Sequence, residues 1–164
     1  LIAATGGAMA IDRADGGAAG TVYLEGPADG AGKGTVIVSN ELTSVRVENS
    51  HTELPPSYSG GDPRWTYNDD LSEATLRLTG YGALALTADL EVSVLSIDSD
   101  NAWLDLAGHT LTCNDNLWVD GNRYVAGQYP ASAFAAEDPT VTDSSAEDDG
   151  LIVVVAKGTV IMLR

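Results

Sequence analysis

The sequence predicts an all-β protein, a right-handed parallel β-helix (a β-solenoid) in which short strands stack in coils of about 20 residues. Short segments of alternating apolar and polar residues recur along the chain, with Gly, Asn and Asp between them as tight turns require. Related apolar positions also repeat at the spacing of one coil: Leu84 with Leu104, Leu86 with Leu106, and Ile97 with Leu117. Antiparallel hairpins would also give short strands between turns, so a β-sandwich is the alternative.

The first strands are predicted by a repeated phrase. Gly20 to Leu24 and Gly34 to Val38 both begin Gly-Thr-Val, and Gly158 to Met162 repeats the phrase near the C-terminus. β-Branched Thr and Val favour the extended conformation, and the leading Gly lets the chain turn into the strand. Residues 26–32, which separate the first two phrases, are rich in Gly and predict a turn.

The block from Glu48 to Asp70 differs from its surroundings because it combines three prolines with aromatic residues. Pro has no N–H to donate to a β-ladder, and it biases the preceding residue towards an extended conformation. We therefore predict a loop or insertion at about residues 48–70, within one domain that spans residues 1–164. The start at Leu1, without an initiator Met, suggests a processed chain or a fragment.

Strand-like segments follow closely from Ala74 to Val119, and the best helical candidate, the Ala-rich Pro130 to Glu137, comes after them. Cys113 is the single cysteine, which excludes an intrachain disulfide. It alternates with polar neighbours inside a strand-like segment, so we predict a small buried apolar residue rather than a nucleophile.

Charge excludes several classes of partner. The 164 residues carry 24 acidic and 8 basic side chains, for a net charge of -16. Because a phosphate-binding surface needs clustered Lys and Arg, nucleic acid and anionic membrane surfaces are excluded. No apolar run reaches the roughly 18 residues that span a bilayer, so membrane insertion is not expected. Many acids stand in turns, where they would keep a β-rich chain soluble.

Several phrases stand in an order known from exported proteins. Gly16 to Leu24 and then Gly34 to Asn40 form two Gly-led strand phrases, and Ala102 to Thr112 contains the line L-D-L-A-G-H-T-L-T. The phrases Leu117 to Gly121, Val125 to Ala131 and Gly150 to Val154 follow. In this order they resemble coils of exported bacterial β-helix proteins with autotransporter-associated, adhesin-like repeats. The resemblance implies an extracellular or cell-surface location and a structural or adhesive role, and it carries no catalytic residues.

The C-terminal segments suggest how copies would join. Leu151 to Ala156 and Thr159 to Leu163 are nearly continuous apolar runs, typical of strands buried on both faces. They either close the domain internally or add to a neighbouring copy by β-augmentation. The second option predicts a self-assembling subunit of a filament, stalk or adhesin, present as a homo-oligomer or polymer. The predicted assembly residues are Val22 and Leu24 at one end and Val153, Val155, Val160 and Ile161 at the other.

The alternative function is a carbohydrate-binding or polysaccharide-degrading β-helix, with a glycan as partner. Its candidate stacking residues are Tyr58, Trp65, Tyr67 and Trp118. Asp105 or Asp62 would stand beside them, and the alternation of Asp105 with Leu104 and Leu106 predicts an outward side chain for it. No nucleophile elbow, phosphate loop or metal-ligand spacing is present in the sequence, so we predict no enzyme and no catalytic residues.

One turn carries the ligands of a hard cation. Asp98, Asp100 and Asn101 supply carboxylate and amide oxygens, which calcium prefers. The turn lacks the Gly and the distal Glu of an EF-hand loop, and a solvated turn is the alternative. Calcium is the one candidate cofactor.

Overall fold

The computed structural model describes residues 20–40, 51–55, 70–98, 101–134, 141–145 and 149–155. Within them the chain is all-β, with twelve strands, one 3-10 turn at Ala131–Phe134 and no α-helix. Among these residues no helix has the length and apolar character needed to cross a membrane. The strands are β1 Gly20–Leu24, β2 Thr35–Ser39, β3 Thr52–Leu54, β4 Thr75–Thr79, β5 Ala83–Leu86, β6 Leu90–Ile97, β7 Trp103–Asp105, β8 Thr110–Val119, β9 Asn122–Tyr124, β10 Gly127–Pro130, β11 Val141–Thr142 and β12 Leu151–Val154.

These strands form two sheets. The large sheet has the order β1-β2-β4-β6-β8-β12-β10, with β9 added to β8, and the small sheet has the order β11-β7-β5-β3. Three pairs in the described part are antiparallel, namely β1 with β2, β8 with β9 and β10 with β12, and the others are parallel. From β2 to β8 the chain alternates between the two sheets. The predicted all-β class is confirmed, and its sheets are largely parallel.

The predicted repeat holds in the small sheet and shifts in the large one. Leu84 lies opposite Leu104, as predicted. The predicted partnership of Ile97 with Leu117 is wrong, because Leu117 lies opposite Leu95 and Ile97 lies opposite Val119. The register of β6 against β8 shifts between Val92 and Val94, as at a β-bulge. Offsets between paired strands from β4 to β8 therefore range from 19 to 22 residues.

Aliphatic side chains form rows across the large sheet and pack against those of the small sheet in one core. Because alternate residues of a strand share a face, each buried side chain lies beside its partner in the next strand. Two consecutive rows are Val36, Leu76, Leu95 and Leu117, and then Val38, Leu78, Ile97 and Val119. Burying each such side chain stabilises the fold by about 1.5–3 kcal/mol.

Two boundaries differ from the sequence-based prediction. Thr52–Leu54 forms β3 and pairs with β5, so this part of the predicted loop at 48–70 is a strand. Its three residues are too few to show alternation, although Leu54 is buried. The predicted helical segment at Pro130 to Glu137 is described as far as Phe134, and there it consists of the last residue of β10 and the 3-10 turn Ala131–Phe134. Residues 56–69 and 135–140 lie outside the described part of the chain.

Gly82, just before β5, allows the chain to lie close to the backbone of β2. A Cβ atom at this position would lie 2.4 Å from the carbonyl oxygen of Val38 and 3.0 Å from that of Thr79. Both contacts are to backbone, so no side chain could rotate to make room. Glycine is therefore required at position 82, where the start of β5 lies close to the backbone of β2.

Candidate functional site

Exposed large apolar side chains lie towards the two ends of the large sheet. Tyr23 and Leu24 of β1 are 46% and 39% exposed. At the opposite end, Trp118, Val125 and Val155 are 37%, 73% and 43% exposed. Within the described residues, strands β2 to β7 contribute none. We call residues 20–34 the β1 end, and residues 117–130 with 151–155 the β10 end.

The β1 end is ordered by hydrogen bonds from its own side chains. The Tyr23 hydroxyl donates to Glu25 Oε2 at 2.5 Å and accepts from the Gly34 N–H at 3.2 Å. Asp29 Oδ2 accepts from the Gly26 N–H at 2.6 Å, and the Asp29 N–H donates to the Gly26 carbonyl at 3.0 Å. The pKa of Tyr23 is raised, mainly by the hydrogen bond to Glu25 and secondly by burial. These bonds set the positions of the two carboxylates at this end.

Gly34 allows the Tyr23 ring to lie against the start of β2. A Cβ atom at Gly34 would stand 2.5 Å from the Leu24 carbonyl oxygen and 2.6 Å from Tyr23 Cζ. A larger residue would push the ring away and break the bond from the Gly34 N–H. Gly34, the first residue of the Gly-Thr-Val phrase of β2, is therefore needed for the position of Tyr23 in β1 as well as for the start of β2.

A concavity of about 560 Å³ opens beside β1. It is lined by Tyr23, Leu24, Glu25, Gly26, Asp29, Thr35, Ile37 and Arg77. Arg77, the one cation in this lining, is ion-paired with Asp98. The concavity therefore combines apolar surface from Leu24 and Ile37 with acidic groups from Glu25 and Asp29.

The β10 end is supported by an aromatic cluster. The rings of Tyr124 and Tyr129 meet edge to face with centroids 5.2 Å apart, and Phe134 lies 5.2 Å from Tyr124 and 6.2 Å from Tyr129. The Tyr129 hydroxyl donates to the Val125 carbonyl at 2.8 Å. This bond holds the backbone of the β9–β10 connection, and the Val125 side chain stands exposed on it.

A cation stands beside the exposed apolar groups of the β10 end. Arg123 lies directly opposite Trp118 in the β8–β9 hairpin, and both side chains are exposed. Of the three basic residues in the described part of the chain, Lys33 is paired with Glu73 at 3.3 Å and Arg77 with Asp98, whereas Arg123 makes no ion pair there. Arg123 and Val125 also line a smaller concavity of about 190 Å³.

The predicted assembly residues fall in two different situations. Val22 and Leu24 lie in β1, which occurs at one end of the large sheet. Val153 lies in β12, between β8 and β10, and the Val155 N–H donates to the Cys113 carbonyl at 2.9 Å. The main chain of β12 is therefore paired within this chain, and β10 is the last of the described strands at that end. A continuous apolar run identifies a strand but not its neighbours, so sequence reasoning could not single out β10.

Several predicted residues lie outside the described part of the chain: Tyr58, Asp62, Trp65, Tyr67, Asp100, Val160 and Ile161. Of the candidate glycan-stacking set, Trp118 is described, and it lies in register with Ser96 on one side and Arg123 on the other. Its indole ring is part of the outer face of the large sheet.

The prediction that Asp105 points outward is wrong, because Asp105 is only 5% exposed. Its Oδ1 accepts hydrogen bonds from the Ala107 N–H at 3.0 Å and from the Ser144 N–H at 2.8 Å. Strand β7 ends at Asp105 and the chain turns, so strand alternation no longer sets the direction of the side chain. Asp105 holds two turns together and is not part of an outer surface.

Asp143 plays a related role in the same region. It accepts hydrogen bonds from the N–H groups of Gly108 and Ser145, each at 2.9 Å, and from that of Gly150. Burial by itself would raise the pKa of Asp143, but these hydrogen bonds, together with nearby His109, hold that pKa below its ordinary value. The carboxylate is therefore kept charged as a structural acceptor.

The candidate calcium turn is partly described. Asp98 accepts hydrogen bonds from the Arg77 guanidinium and the Ser96 hydroxyl. Within the described ranges no group of three or more His, Cys, Asp or Glu side chains is arranged to hold a metal ion. Because Asp100 lies outside those ranges, a calcium site at this turn stays a prediction.

Comparison with known protein families, with curated proteins and with solved structures finds no match to this chain. The function proposed below therefore depends on the geometry of the two ends.

Proposed function

We propose that this chain is a structural module of a secreted or cell-surface protein, a right-handed parallel β-helix whose copies associate end to end into a filament, stalk or adhesin. The observation that carries the proposal is the concentration of exposed large apolar side chains at the β1 end and the β10 end. Exposed apolar groups gathered in this way are typical of association surfaces.

The strand order supports the β-helix. In a sandwich of antiparallel hairpins, consecutive strands pair with each other. Here β2, β4, β6 and β8 pair in parallel in one sheet, while β3, β5 and β7, which come between them in the chain, pair in the other. Each step from one strand to its partner is one turn around the core, and the rows of aliphatic side chains fill the space enclosed.

The two ends differ, which supports an open assembly. A contact between unlike surfaces leaves one of each surface free on the growing complex, so addition continues unless the contact closes a ring. Each copy carries a net charge of -16, so copies repel one another at low ionic strength. Association should therefore strengthen as salt is added.

Sedimentation velocity and electron microscopy of the purified chain test this function. We expect oligomers that grow with protein concentration and with salt, and extended particles in micrographs. Leu24→Asn should reduce association, whereas Thr79→Asn, a polar substitution on the outer face of β4, should not. A chain that stays monomeric in every condition would overturn the proposal.

Carbohydrate binding is a second candidate, favoured by the exposed Trp118 indole between Ser96 and Arg123. An aromatic face beside polar side chains can stack a sugar ring. Glycan-array binding that is lost in Trp118→Ala would support it, and an array without signal for the intact chain would exclude it for the sugars tested. We propose no catalytic activity for either candidate.

A further inference from the structure

We infer that the β10 end of one copy docks on the β1 end of the next by placing Val125 in the concavity beside β1, with Arg123 facing Glu25 and Asp29. This inference rests on the proposed end-to-end assembly and names its contact. The occupant of the concavity is thus a second copy of this chain.

The apolar parts of the two surfaces match. Val125 is the most exposed of the large apolar side chains in the described residues, and Leu24 and Ile37 line the concavity at the opposite end. Removing this apolar surface from water would contribute about 25 cal/mol per Å² buried. The contact therefore places the most exposed apolar side chain of the β10 end in the concavity of about 560 Å³ at the β1 end.

Charge gives the contact its direction. Arg123 is the basic side chain of the described residues that makes no ion pair there, and it lies two residues from Val125. The concavity presents Glu25 and Asp29, and its own cation, Arg77, is already paired with Asp98. An acidic surface would repel most of a chain whose net charge is -16, but it would attract this arginine.

Both surfaces are ordered before they meet. The Tyr129 hydroxyl holds the Val125 carbonyl at 2.8 Å, and the Tyr23 hydroxyl holds Glu25 Oε2 at 2.5 Å. Association of preorganised groups loses less conformational entropy than association of mobile loops. The two ends are therefore suited to a contact that forms without rearrangement.

Charge reversal at each surface tests the contact. Arg123→Glu and Glu25→Arg should each raise the dissociation constant about tenfold or more, since each places like charges across the contact. An equimolar mixture of the two variants should assemble again. Each contact between unlike variants then pairs either the two substituted side chains, which again have opposite charges, or the native Arg123 with the native Glu25. Arg123→Gln and Thr79→Glu lower the net charge equally, and only the first should weaken association.

A cross-link provides a second measurement. Copies carrying Val125→Cys, mixed with copies carrying Leu24→Cys, should form disulfide-linked dimers on mild oxidation, while either variant alone should form few. Circular dichroism and thermal unfolding first establish that each variant folds like the intact chain.

The outcomes separate this contact from the general proposal. Assembly that is lost in Leu24→Asn but unchanged in both charge reversals overturns the contact while leaving end-to-end association intact. Monomers of the intact chain in all conditions overturn both. Protection of Leu24→Cys from thiol reagents in the diluted monomer also overturns the contact, since a segment of the same chain would then fill the concavity.

Discussion

The Ser144 N–H donates to Asp105 Oδ1 at 2.8 Å, which joins the turn after β7 to the segment after β11. Asp143, next to Ser144, accepts from Gly108 and Gly150 and so joins the same turn to the start of β12. The two carboxylates therefore connect the turn after β7, the segment after β11 and the start of β12. These segments lie where the regular repeat of the middle strands ends and the connections between strands become longer.

Asp143→Ala should lower the free energy of unfolding by about 2 kcal/mol, because three backbone N–H groups lose a charged acceptor and only some of them regain water. Urea unfolding measures the change. Asp149→Ala, which removes a neighbouring exposed carboxylate, serves as the control and should stay within about 0.5 kcal/mol of the intact chain. Equal effects of the two substitutions would contradict the structural role of Asp143.

The stability supplied by Asp143 should depend on pH in one direction. A carboxyl whose pKa is lowered by folding contributes stability above its unfolded pKa, here about 3.8, and loses it as the pH falls through the folded-state pKa. The difference in unfolding free energy between the intact chain and Asp143→Ala should therefore be constant from neutral pH to about pH 5 and shrink in more acidic solution. A difference that grew on acidification would have the wrong sign.

Leu95→Ala should lower the free energy of unfolding by about 2–5 kcal/mol, since Leu95 is fully buried in a row between Leu76 and Leu117. Its neighbour Ser96 points to the opposite face of β6, where its hydroxyl donates to Asp98, so Ser96→Ala should lower the free energy of unfolding by only about 1 kcal/mol. Thermal and urea unfolding of the pair measure the contrast. Similar losses in both variants would mean that the two faces of β6 are assigned incorrectly.

Gly82→Ala should destabilise the fold by about 1–3 kcal/mol, because its Cβ would meet the backbone of Val38. Gly26→Ala is the matched control, since its Cβ would meet only the side-chain oxygen of Asp29 at 3.2 Å, which can move. Differential scanning calorimetry of the two variants should show the larger drop in melting temperature for Gly82→Ala. An unchanged melting temperature in that variant would argue against the close approach of β5 to β2.

The Cys113 thiol should resist alkylation in the native protein. It is fully buried, and burial raises its pKa to about 12, so almost no reactive thiolate is present at neutral pH. Iodoacetamide labelling followed by mass spectrometry should show modification only after unfolding in urea. Labelling of the folded chain at the rate of a free thiol would contradict this burial.

Much of the local structure follows from the sequence. The alternation in Leu76-Arg77-Leu78 predicts a strand with two buried side chains, and both are buried. The burial of Cys113 and the partnership of Leu84 with Leu104 are also predicted and confirmed. These features depend on a few neighbouring residues or on a regular spacing, which the chain displays directly.

The predictions that failed depend on distant residues. The register shift between Val92 and Val94 decides that Leu95, and not Ile97, faces Leu117. The buried positions of β6 change phase with it, from Leu90 and Val92 to Leu95 and Ile97, and the sequence shows this only as two adjacent apolar residues, Val94 and Leu95. Asp105 is buried because the Ser144 N–H, 39 residues away, needs an acceptor. The partner of Asp105 is not visible in the local sequence, and neither is the strand that faces Leu95.

The sequence by itself determined the β-rich class, the alternation of buried side chains and the acidic composition. Only the tertiary structure decided that β12 lies between β8 and β10, and that the exposed apolar side chains gather at the two ends of the large sheet. The reason is physical: side-chain alternation is set by the geometry of a single strand, whereas the neighbours of a strand depend on connections of variable length. A connection can lengthen without changing any apolar pattern, so the ends of the sheet become apparent only when the strands are paired.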